Sequence, residues 1–234
     1  MLEKLKREVL KANLYLVKYG LVCQTWGNVS GIDRSKGLIV IKPSGIEYDK
    51  MKIDDMVVVD FEGKIIEGKR RPSSDTPTHI ELYKAFPSIG GITHTHSLYA
   101  TMFAQANCEI PCYGTTHADT FYRSIPVTRF LTKKEIETNY EKNTGKVIIE
   151  RFRELNSAET PGVLVAGHAP FTWGKDAIDS VKNAQTLEYV AQLAFGSLLI
   201  NPKLKTLPNH IIKKHYERKH GPNAYYGQKN FNKK

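Results

Sequence analysis

The order of short apolar segments and long helical segments is the feature that most constrains the fold of this chain. The first half contains short β-branched runs separated by polar turns, such as residues 38–42 and 56–60. The second half contains two long segments with helical periodicity, residues 133–155 and 176–199. Strands that are concentrated early and helices that are concentrated late are typical of α+β proteins. The sequence therefore predicts an α+β fold, with helices covering both faces of a mixed or antiparallel sheet.

Local signals set the bounds of the other elements. An amphipathic helix is predicted for residues 2–19, because its apolar stripe stops at Gly20. A second helix is predicted to begin at Thr76 and Pro77, a hydroxyl at the N-cap and a proline at the first helical position, and to end before Pro87. The remaining predicted elements are a strand or turn at residues 27–31, a strand at 64–66, a helix at 98–106, a strand beginning at 162 and a short helix after Pro208.

Composition indicates one globular domain. The chain has 234 residues, of which 41% are hydrophobic and 25% charged, enough to bury one substantial core. We expect a single domain over residues 1–228 and a disordered tail at 229–234. The richest apolar run, residues 190–200, is shorter than the roughly 18–20 residues that a membrane span needs, so no membrane association is expected. An N-terminus without a signal-peptide pattern and only three cysteines favour the cytoplasm.

The net charge of +10 is compatible with two kinds of partner. One is nucleic acid, which residues 213–220 would contact through their lysines and arginine. The other is a small anionic substrate, with the remaining lysines solvating the surface. Glu217 interrupts the basic run, and no motif for stacking aromatic side chains on bases accompanies it. The sequence therefore favours a small anionic substrate and no nucleic acid.

A pair of histidines, His94 and His96, is the strongest functional signal. Alternate side chains of an extended segment point to the same face, so both imidazoles can reach one point in space. Neutral imidazoles suit a divalent transition metal, zinc above all. His168 and Asp75 are further candidate ligands, each next to turn-forming residues. The alternative is that the histidines are ordinary strand residues, and that Asp75 only caps the helix that follows it.

Ser73 and Ser74 indicate a second function for the same region. They directly precede the helix predicted at Thr76, where unpaired backbone N–H groups are able to hold an anion together with the serine hydroxyls. An anionic substrate group is therefore expected near Asp75.

Six motifs occur together in the order and spacing of one family, and the chain resembles the class II aldolase/epimerase family of metal-dependent sugar-phosphate enzymes. The resemblance covers nearly the whole chain. It implies a three-layer αβα sandwich with a central, mostly antiparallel sheet, and self-association as a cyclic homotetramer. It also implies a zinc ion, replaceable by manganese or cobalt, held by Asp75, His94, His96 and His168. The motifs are Gly27-Asn28-Val29-Ser30, Lys42-Pro43-Ser44-Gly45, Ser73-Ser74-Asp75-Thr76-Pro77-Thr78-His79, Thr93-His94-Thr95-His96-Ser97, His117-Ala118-Asp119 and Gly167-His168-Ala169-Pro170.

The resemblance also assigns substrate-binding and catalytic residues. Asp119 and Tyr226 are implied as the two acid/base groups, with Tyr226 reaching the site of a neighbouring subunit, so that one site would draw Asp119 and Tyr226 from different chains. Alternatively, Asp119 caps a local helix and Tyr226 belongs to a disordered tail. Arg123 stands where relatives tend to carry a small residue. The implied phosphate-binding residues are Gly27, Asn28, Lys42, Ser44, Gly45, Ser73 and Ser74, with His215 either a further contact or a solvated helix residue.

The activity that the resemblance implies is inversion of C4 in a ketopentose phosphate, between L-ribulose 5-phosphate and D-xylulose 5-phosphate. The route implied is retro-aldol cleavage of the C3–C4 bond followed by re-addition. The alternative within the family is a true sugar-phosphate aldolase, of the type acting on L-fuculose 1-phosphate. Asp75 favours the epimerase, because those aldolases tend to carry glutamate at this position. A binding protein of the same fold without catalysis is the alternative from another class.

Overall fold

A single antiparallel sheet organises the molecule. The computed structural model describes residues 2–227, and the predicted tail at 229–234 lies outside the described residues. Seven strands form the sheet in the order β4-β3-β2-β1-β5-β7-β6, and each pair of neighbouring strands is antiparallel. The strands are β1 (Asn28–Asp33), β2 (Leu38–Ile41), β3 (Val57–Val59), β4 (Ile65–Glu67), β5 (Gly91–His94), β6 (Gly162–Leu164) and β7 (Pro170–Gly174).

Helices cover both faces of this sheet, as the sequence predicts. Helices α2 and α5 pack on one face, and α1, α3 and α6 pack on the other. Within residues 2–227 the helices are α1 (Glu3–Lys18), α2 (Thr76–Ala85), α3 (Leu98–Gln105), α4 (Thr115–Ala118), α5 (Lys133–Arg151), α6 (Ala177–Ile200) and α7 (Asn209–His220).

The central strands are apolar on both sides because they lie between two helical layers. Ile39 and Val59 pack with Tyr83 of α2 in one core cluster. Val40 and Val58, the alternate residues of the same strands, pack in a second cluster with α1 and α6. Continuous apolar strands that are buried on both faces follow from this three-layer arrangement. The α+β sandwich that the sequence predicts is therefore confirmed.

Strand pairing brings distant parts of the chain to one end of the sheet. Asn28 of β1 pairs with His94 of β5, and His94 pairs in turn with Phe171 of β7. His168 lies in the short connection between β6 and β7. Residues that are far apart in sequence thus meet at the carboxyl end of β5.

The structure differs from the sequence prediction at three elements. Strand β7 is not predicted by the sequence, because Pro170 and the neighbouring Gly167 are typical of a loop; Pro170 is tolerated as the first residue of the strand. Helix α2 begins one residue earlier than predicted, since Asp75 rather than Thr76 is its N-cap. Helix α5 is shorter than the predicted 133–155 and is interrupted at Asn139, which has a non-helical backbone.

Three sequence expectations concern membrane association, domain organisation and the cysteines. In residues 2–227, no helix has both the length and the hydropathy that a membrane crossing requires. The prediction of one domain over residues 1–228 stays a prediction. Cys23 and Cys108 are exposed and Cys112 is buried, all three as free thiols.

Gly91 allows α6 to approach the sheet. A Cβ atom at this position would overlap the backbone carbonyl of Asp176 and the Cα atom of Ala177, where α6 begins. We expect Gly91→Ala to lower the free energy of unfolding by roughly 3 kcal/mol, because backbone atoms on both sides must move. Thermal or denaturant unfolding at a fixed chain concentration measures the effect.

The matched control is Gly196→Ala in helix α6, where a Cβ atom meets nothing within 4 Å. Alanine has the higher helix propensity, so this variant should be more stable by about 0.5–1 kcal/mol. Equal stability of the two variants would show that α6 does not need the glycine beneath its first turn.

Candidate active site

Three histidines converge at the end of β5. His94 is the last residue of that strand, His96 follows two residues later, and His168 comes from the loop before β7. The centres of the three imidazole rings lie 4.9–5.0 Å from one another. One nitrogen from each ring lies within 4.8 Å of the others, close enough to hold a metal ion. Phe171 stacks on the His94 ring at 4.1 Å and fixes its plane.

The three imidazoles are neutral and have nitrogens available as ligands. Burial lowers the pKa of His94 and of His168 to about 3, and burial also lowers the pKa of His96. The Nδ1–H group of His94 donates to the backbone carbonyl of Pro170 at 2.9 Å, which leaves Nε2 as the lone-pair nitrogen. Nδ1 of His168 is buried and has no hydrogen-bond partner among the described residues. This donor set fits a divalent transition metal.

Asp75 lies beside the three histidines but outside the group of nitrogens that meet within 4.8 Å. Its carboxylate accepts a hydrogen bond from Asn28 Nδ2 at 2.7 Å. Although Asp75 is the N-cap of α2, its side chain makes no capping hydrogen bond. The capping alternative therefore does not account for this carboxylate, and its role as a metal ligand stays a prediction.

A cavity of about 430 Å³ opens onto the three histidines. Its lining includes every residue that the sequence predicts to hold phosphate except His215, and it also includes Asp75. The full lining consists of Thr25, Trp26, Gly27, Asn28, Lys42, Ser44, Gly45, Ser73, Ser74, Asp75, His94, His96, Tyr140, Glu141 and His168.

The polar part of the cavity is suited to an anion. Lys42 is buried, and its ammonium donates to the carbonyl of Thr25 at 3.0 Å. Burial lowers the pKa of Lys42 to about 8, and the charge of Asp75 opposes this shift. Gly45 has a φ of +68° with nothing within 4 Å of a would-be Cβ, which leaves its backbone open to the cavity. Hydroxyls, backbone and one ammonium thus face the same space.

Asp119 lies in a separate cluster of charges. It ends helix α4, and helix α7 folds back over it. Arg218 donates to both carboxylate oxygens at 3.0 and 2.6 Å, His215 Nδ1 lies 3.1 Å from Oδ1, and Lys219 lies 3.3 Å from Oδ2. Burial raises the pKa of Asp119, but hydrogen bonds from Arg218 and His215 and the charge of Lys219 outweigh it and leave the pKa below its usual value.

Tyr226 belongs to the same cluster as Asp119. Its ring lies over Lys219 and Arg218, 4.4 and 5.0 Å from the charged groups, and 55% of the residue is exposed. Its backbone N–H donates to the carbonyl of Arg218. One chain therefore presents Asp119 and Tyr226 together, because α7 packs on α4. This arrangement differs from the expectation that one site draws these two residues from different chains.

His215 and the basic segment around it also have a place in this cluster. His215 contacts Asp119 and does not line the cavity, so its predicted contact with phosphate receives no support from the geometry. Arg218 and Lys219 serve as counter-ions of Asp119. Arg123 lies over the ring of Tyr122 and does not line the cavity either.

Sequence reasoning missed Tyr140 and Glu141 as residues of the cavity. They follow the break in α5 at Asn139, which turns this part of the helix toward His168, and the Tyr140 ring lies 6.3 Å from that imidazole. Burial and the charge of Asp75 raise the pKa of Tyr140, so its phenol is protonated at neutral pH. Helical periodicity alone gives no signal for such a break.

Comparison with known proteins identifies the family. Residues 7–195 match the family described as Class II Aldolase and Adducin N-terminal domain. Proteins named L-ribulose-5-phosphate 4-epimerase UlaF, from Salmonella paratyphi B (strain ATCC BAA-1250 / SPB7) and from Salmonella typhi, are each 57% identical to this chain. In both cases the match spans 97% of this chain and 100% of the relative.

Solved structures show the same fold. An L-fuculose 1-phosphate aldolase superimposes with a TM-score of 0.78 at 27% identity, over 92% of this chain and 95% of that one. An L-fuculose-1-phosphate aldolase from Thermus thermophilus, at 21% identity, has a TM-score of 0.67 over 87% of this chain and 98% of its own. Fold, matched residues and the histidine cluster agree, and the chain belongs to the class II aldolase and adducin family.

Proposed function

We propose that this protein is a metal-dependent epimerase that interconverts L-ribulose 5-phosphate and D-xylulose 5-phosphate. The observation that carries the proposal is the full-length, 57% identical match to proteins named L-ribulose-5-phosphate 4-epimerase. The cavity supports it, because three neutral imidazoles and a set of anion-binding groups face one space. We also propose that the enzyme acts in the cytoplasm.

The metal would be held by His94, His96, His168 and Asp75. Zinc suits this donor set, and manganese or cobalt would bind similar ligands. A divalent ion at this place supplies Lewis-acid stabilisation of the negative charge that develops on the ketose oxygens. The His94 contact to Pro170 and the Asp75 contact to Asn28 hold two of the ligands in orientation.

The phosphate would lie among the serine, glycine and lysine residues of the same cavity lining. Ser44, Gly45, Ser73 and Ser74 offer hydroxyl and backbone donors, with Gly27 and Asn28 beside them. Lys42 adds positive charge, which strengthens hydrogen bonds to a phosphate oxygen. Anchoring the phosphate keeps the reacting fragment in place between bond cleavage and bond formation.

The reaction requires cleavage of a carbon–carbon bond. The C4 hydrogen is β to the C2 carbonyl, so removal of that proton gains no resonance stabilisation. Removal of the C4 hydroxyl proton instead breaks the C3–C4 bond. Its electron pair forms a C2=C3 double bond, and the carbonyl π pair moves to the C2 oxygen, which gives the enediolate of dihydroxyacetone. C4 becomes the aldehyde of glycolaldehyde phosphate. After the aldehyde rotates, the enediolate attacks its other face, and protonation of the new C4 alkoxide gives the inverted product.

Asp119 and Tyr226 would move the protons at the C4 oxygen. Asp119 is held ionised by its cations and accepts a proton, while the phenol of Tyr226 donates one. The two residues lie in one cluster of their own chain but do not line its cavity. We therefore propose a cyclic homotetramer in which Asp119 and Tyr226 of one subunit complete the cavity of the next, with His215 and Arg218 holding Asp119 in place.

The direct test is conversion of L-ribulose 5-phosphate into D-xylulose 5-phosphate by the purified protein. A parallel incubation with L-fuculose 1-phosphate tests the second candidate, a sugar-phosphate aldolase, which the similarity to an L-fuculose 1-phosphate aldolase favours. An epimerase releases the second ketopentose phosphate, whereas an aldolase releases dihydroxyacetone phosphate from a ketose 1-phosphate. Formation of D-xylulose 5-phosphate from L-ribulose 5-phosphate supports the proposal. No conversion of L-ribulose 5-phosphate, together with release of dihydroxyacetone phosphate from L-fuculose 1-phosphate, contradicts it.

Loss of one imidazole should remove the metal. We expect about one divalent ion per wild-type subunit, and we expect His96→Asn to lose most of that metal and most of the activity. His96 is not in a hydrophobic core cluster, so the fold should persist. Elemental analysis after gel filtration measures the metal content.

His210→Asn is the control, since His210 is exposed on α7 and lies outside the cavity lining. It should retain the metal and the activity of the wild type. Full metal occupancy in His96→Asn would remove His96 from the ligand set.

A negative charge in the phosphate pocket should weaken substrate binding. Ser74→Asp places a carboxylate against the proposed phosphate, so we expect KM to rise by at least about tenfold, with little change in thermal stability. Ser35→Asp adds the same charge at the turn that follows the other end of β1, and it should leave KM unchanged. Steady-state kinetics with both variants measures the effect. Equal KM values for Ser74→Asp and Ser35→Asp would show that the phosphate binds elsewhere.

Cleavage of the C3–C4 bond predicts a slow condensation reaction. The enzyme should combine dihydroxyacetone with glycolaldehyde phosphate to give ketopentose phosphates, because both fragments occur on the pathway. In deuterated water, C4 of the product should carry no deuterium, since its hydrogen is never removed. Chromatography and mass spectrometry measure both results, and deuterium at C4 would argue for proton abstraction instead of cleavage.

A further inference from the structure

A ladder of polar side chains joins helix α2 to strand β1 beneath the histidine cluster. Asn28 Nδ2 donates to the Asp75 carboxylate at 2.7 Å, and Ser30 Oγ lies 2.7 Å from His79 Nδ1. Ser30 Oγ also lies 2.8 Å from the hydroxyl of Tyr83. Residues 28 and 30 share one face of the strand, and residues 75, 79 and 83 share one face of the helix, so the two elements meet in register.

The part of this ladder that Ser30, His79 and Tyr83 form is fully buried. Ser30, His79 and Tyr83 each have 0% of their surface exposed, within a core cluster that is otherwise apolar. Burying polar groups costs free energy unless each one is satisfied. His79 Nε2 is buried and has no hydrogen-bond partner among the described residues, and the same holds for Asn28 Oδ1. A nitrogen left in this state indicates a partner that engages it in the working enzyme.

The surroundings of His79 point to that partner. Its ring meets Phe171 edge to face at 6.1 Å, and Phe171 stacks on His94, so Phe171 connects the His79 ring to the histidine cluster. Asp75 lies one helical turn before His79 on the same face of α2, and the backbone N–H of His79 donates to its carbonyl. Because Nδ1 is engaged by Ser30, the Nε2 edge is the one that remains available to Asp75.

The direction of the hydrogen bonds follows from charge. The imidazole is neutral, so only one of its nitrogens carries a proton. A carboxylate nearby favours that proton on Nε2, and Nδ1 then accepts from Ser30, which accepts in turn from Tyr83. The hydrogen bonds thus run in one direction: Tyr83 donates to Ser30, and Ser30 donates to His79.

We propose that His79 is a positioning residue that donates its Nε2–H to the Asp75 carboxylate and so fixes that carboxylate as a metal ligand. Ser30 and Tyr83 set the tautomer that makes this donation possible. Together with Asn28, His79 would hold Asp75 from two directions while carboxylate lone pairs remain for the metal. The inference rests on the metal centre of the proposed function but not on the identity of the substrate.

A matched pair of substitutions separates the two nitrogens of His79. In His79→Gln the side-chain amide nitrogen lies near the position of Nε2, so the donor to Asp75 is kept. In His79→Asn the side-chain amide lies near the position of Nδ1, where its Oδ1 accepts from Ser30 as Nδ1 does, and the donor to Asp75 is lost. The measurement is the zinc dissociation constant by competition with a chromophoric chelator, and the melting temperature of the metal-free proteins reports the structural cost.

We expect zinc to bind His79→Asn at least about tenfold more weakly than wild type, and His79→Gln within about threefold of wild type. Equal weakening of both variants, or an Asn variant within about threefold of wild type, overturns the proposal. The wild-type titration tests the metal centre itself, because wild-type protein without zinc affinity would remove the premise, whatever the variants do. The epimerase assay is independent of all three titrations.

A measurement on the wild-type protein tests the proposal even if the two variants fail to fold. With ¹⁵N-labelled histidine, NMR spectra of the zinc-loaded protein report which ring nitrogen carries the proton. The His79 signal is assigned through its contacts with the rings of Tyr83 and Phe171. A proton on Nε2 supports the proposal, and a proton on Nδ1 overturns it.

Discussion

Antiparallel pairing of β1, β5 and β7 is the constraint on which the site depends. It places Asn28, His94 and Phe171 side by side at one end of the sheet. Asn28 then reaches Asp75 at the start of α2, and Phe171 stacks on His94. A shift of one residue in either pairing would turn the His94 side chain to the opposite face. The alternation of side chains along three strands therefore decides whether the imidazoles meet.

The chain contains two electrostatic environments: one keeps histidine side chains neutral, and the other keeps a carboxylate ionised. At the end of β5, burial lowers the pKa of His94 and of His168, which keeps both imidazoles neutral and able to ligate a metal. At the end of α4, the cations of α7 lower the pKa of Asp119, which keeps its carboxylate ionised in spite of burial. The proposed Lewis acid site and the proposed proton acceptor require these two different environments. The structure separates them within one chain.

Much of the site was accessible from the sequence, because it depends on local patterns. Alternation along a strand predicts that His94 and His96 meet, and helix-start chemistry singles out Ser73 and Ser74, which line the same cavity. The parts that were not predicted depend on tertiary contacts. The break at Asn139 that brings Tyr140 to the cavity has no local signature, and the position of α7 over Asp119 follows from packing between helices. Family resemblance named Tyr226, but only the fold shows that it accompanies Asp119.

The central claim is that one chain supplies the metal cavity and its neighbour supplies Asp119 and Tyr226 together. Co-expression of His96→Asn chains with Asp119→Asn chains tests it most directly, with mass spectrometry to confirm mixed oligomers. In a randomly assembled ring of equal parts, about a quarter of the sites combine an intact cavity with an intact Asp119, so activity should recover to about a quarter of wild type. Mixtures of Asp119→Asn with Tyr226→Phe should show no recovery, because no chain then supplies both groups. If His96→Asn and Asp119→Asn form mixed oligomers whose activity does not exceed that of either parent, the site does not lie between chains.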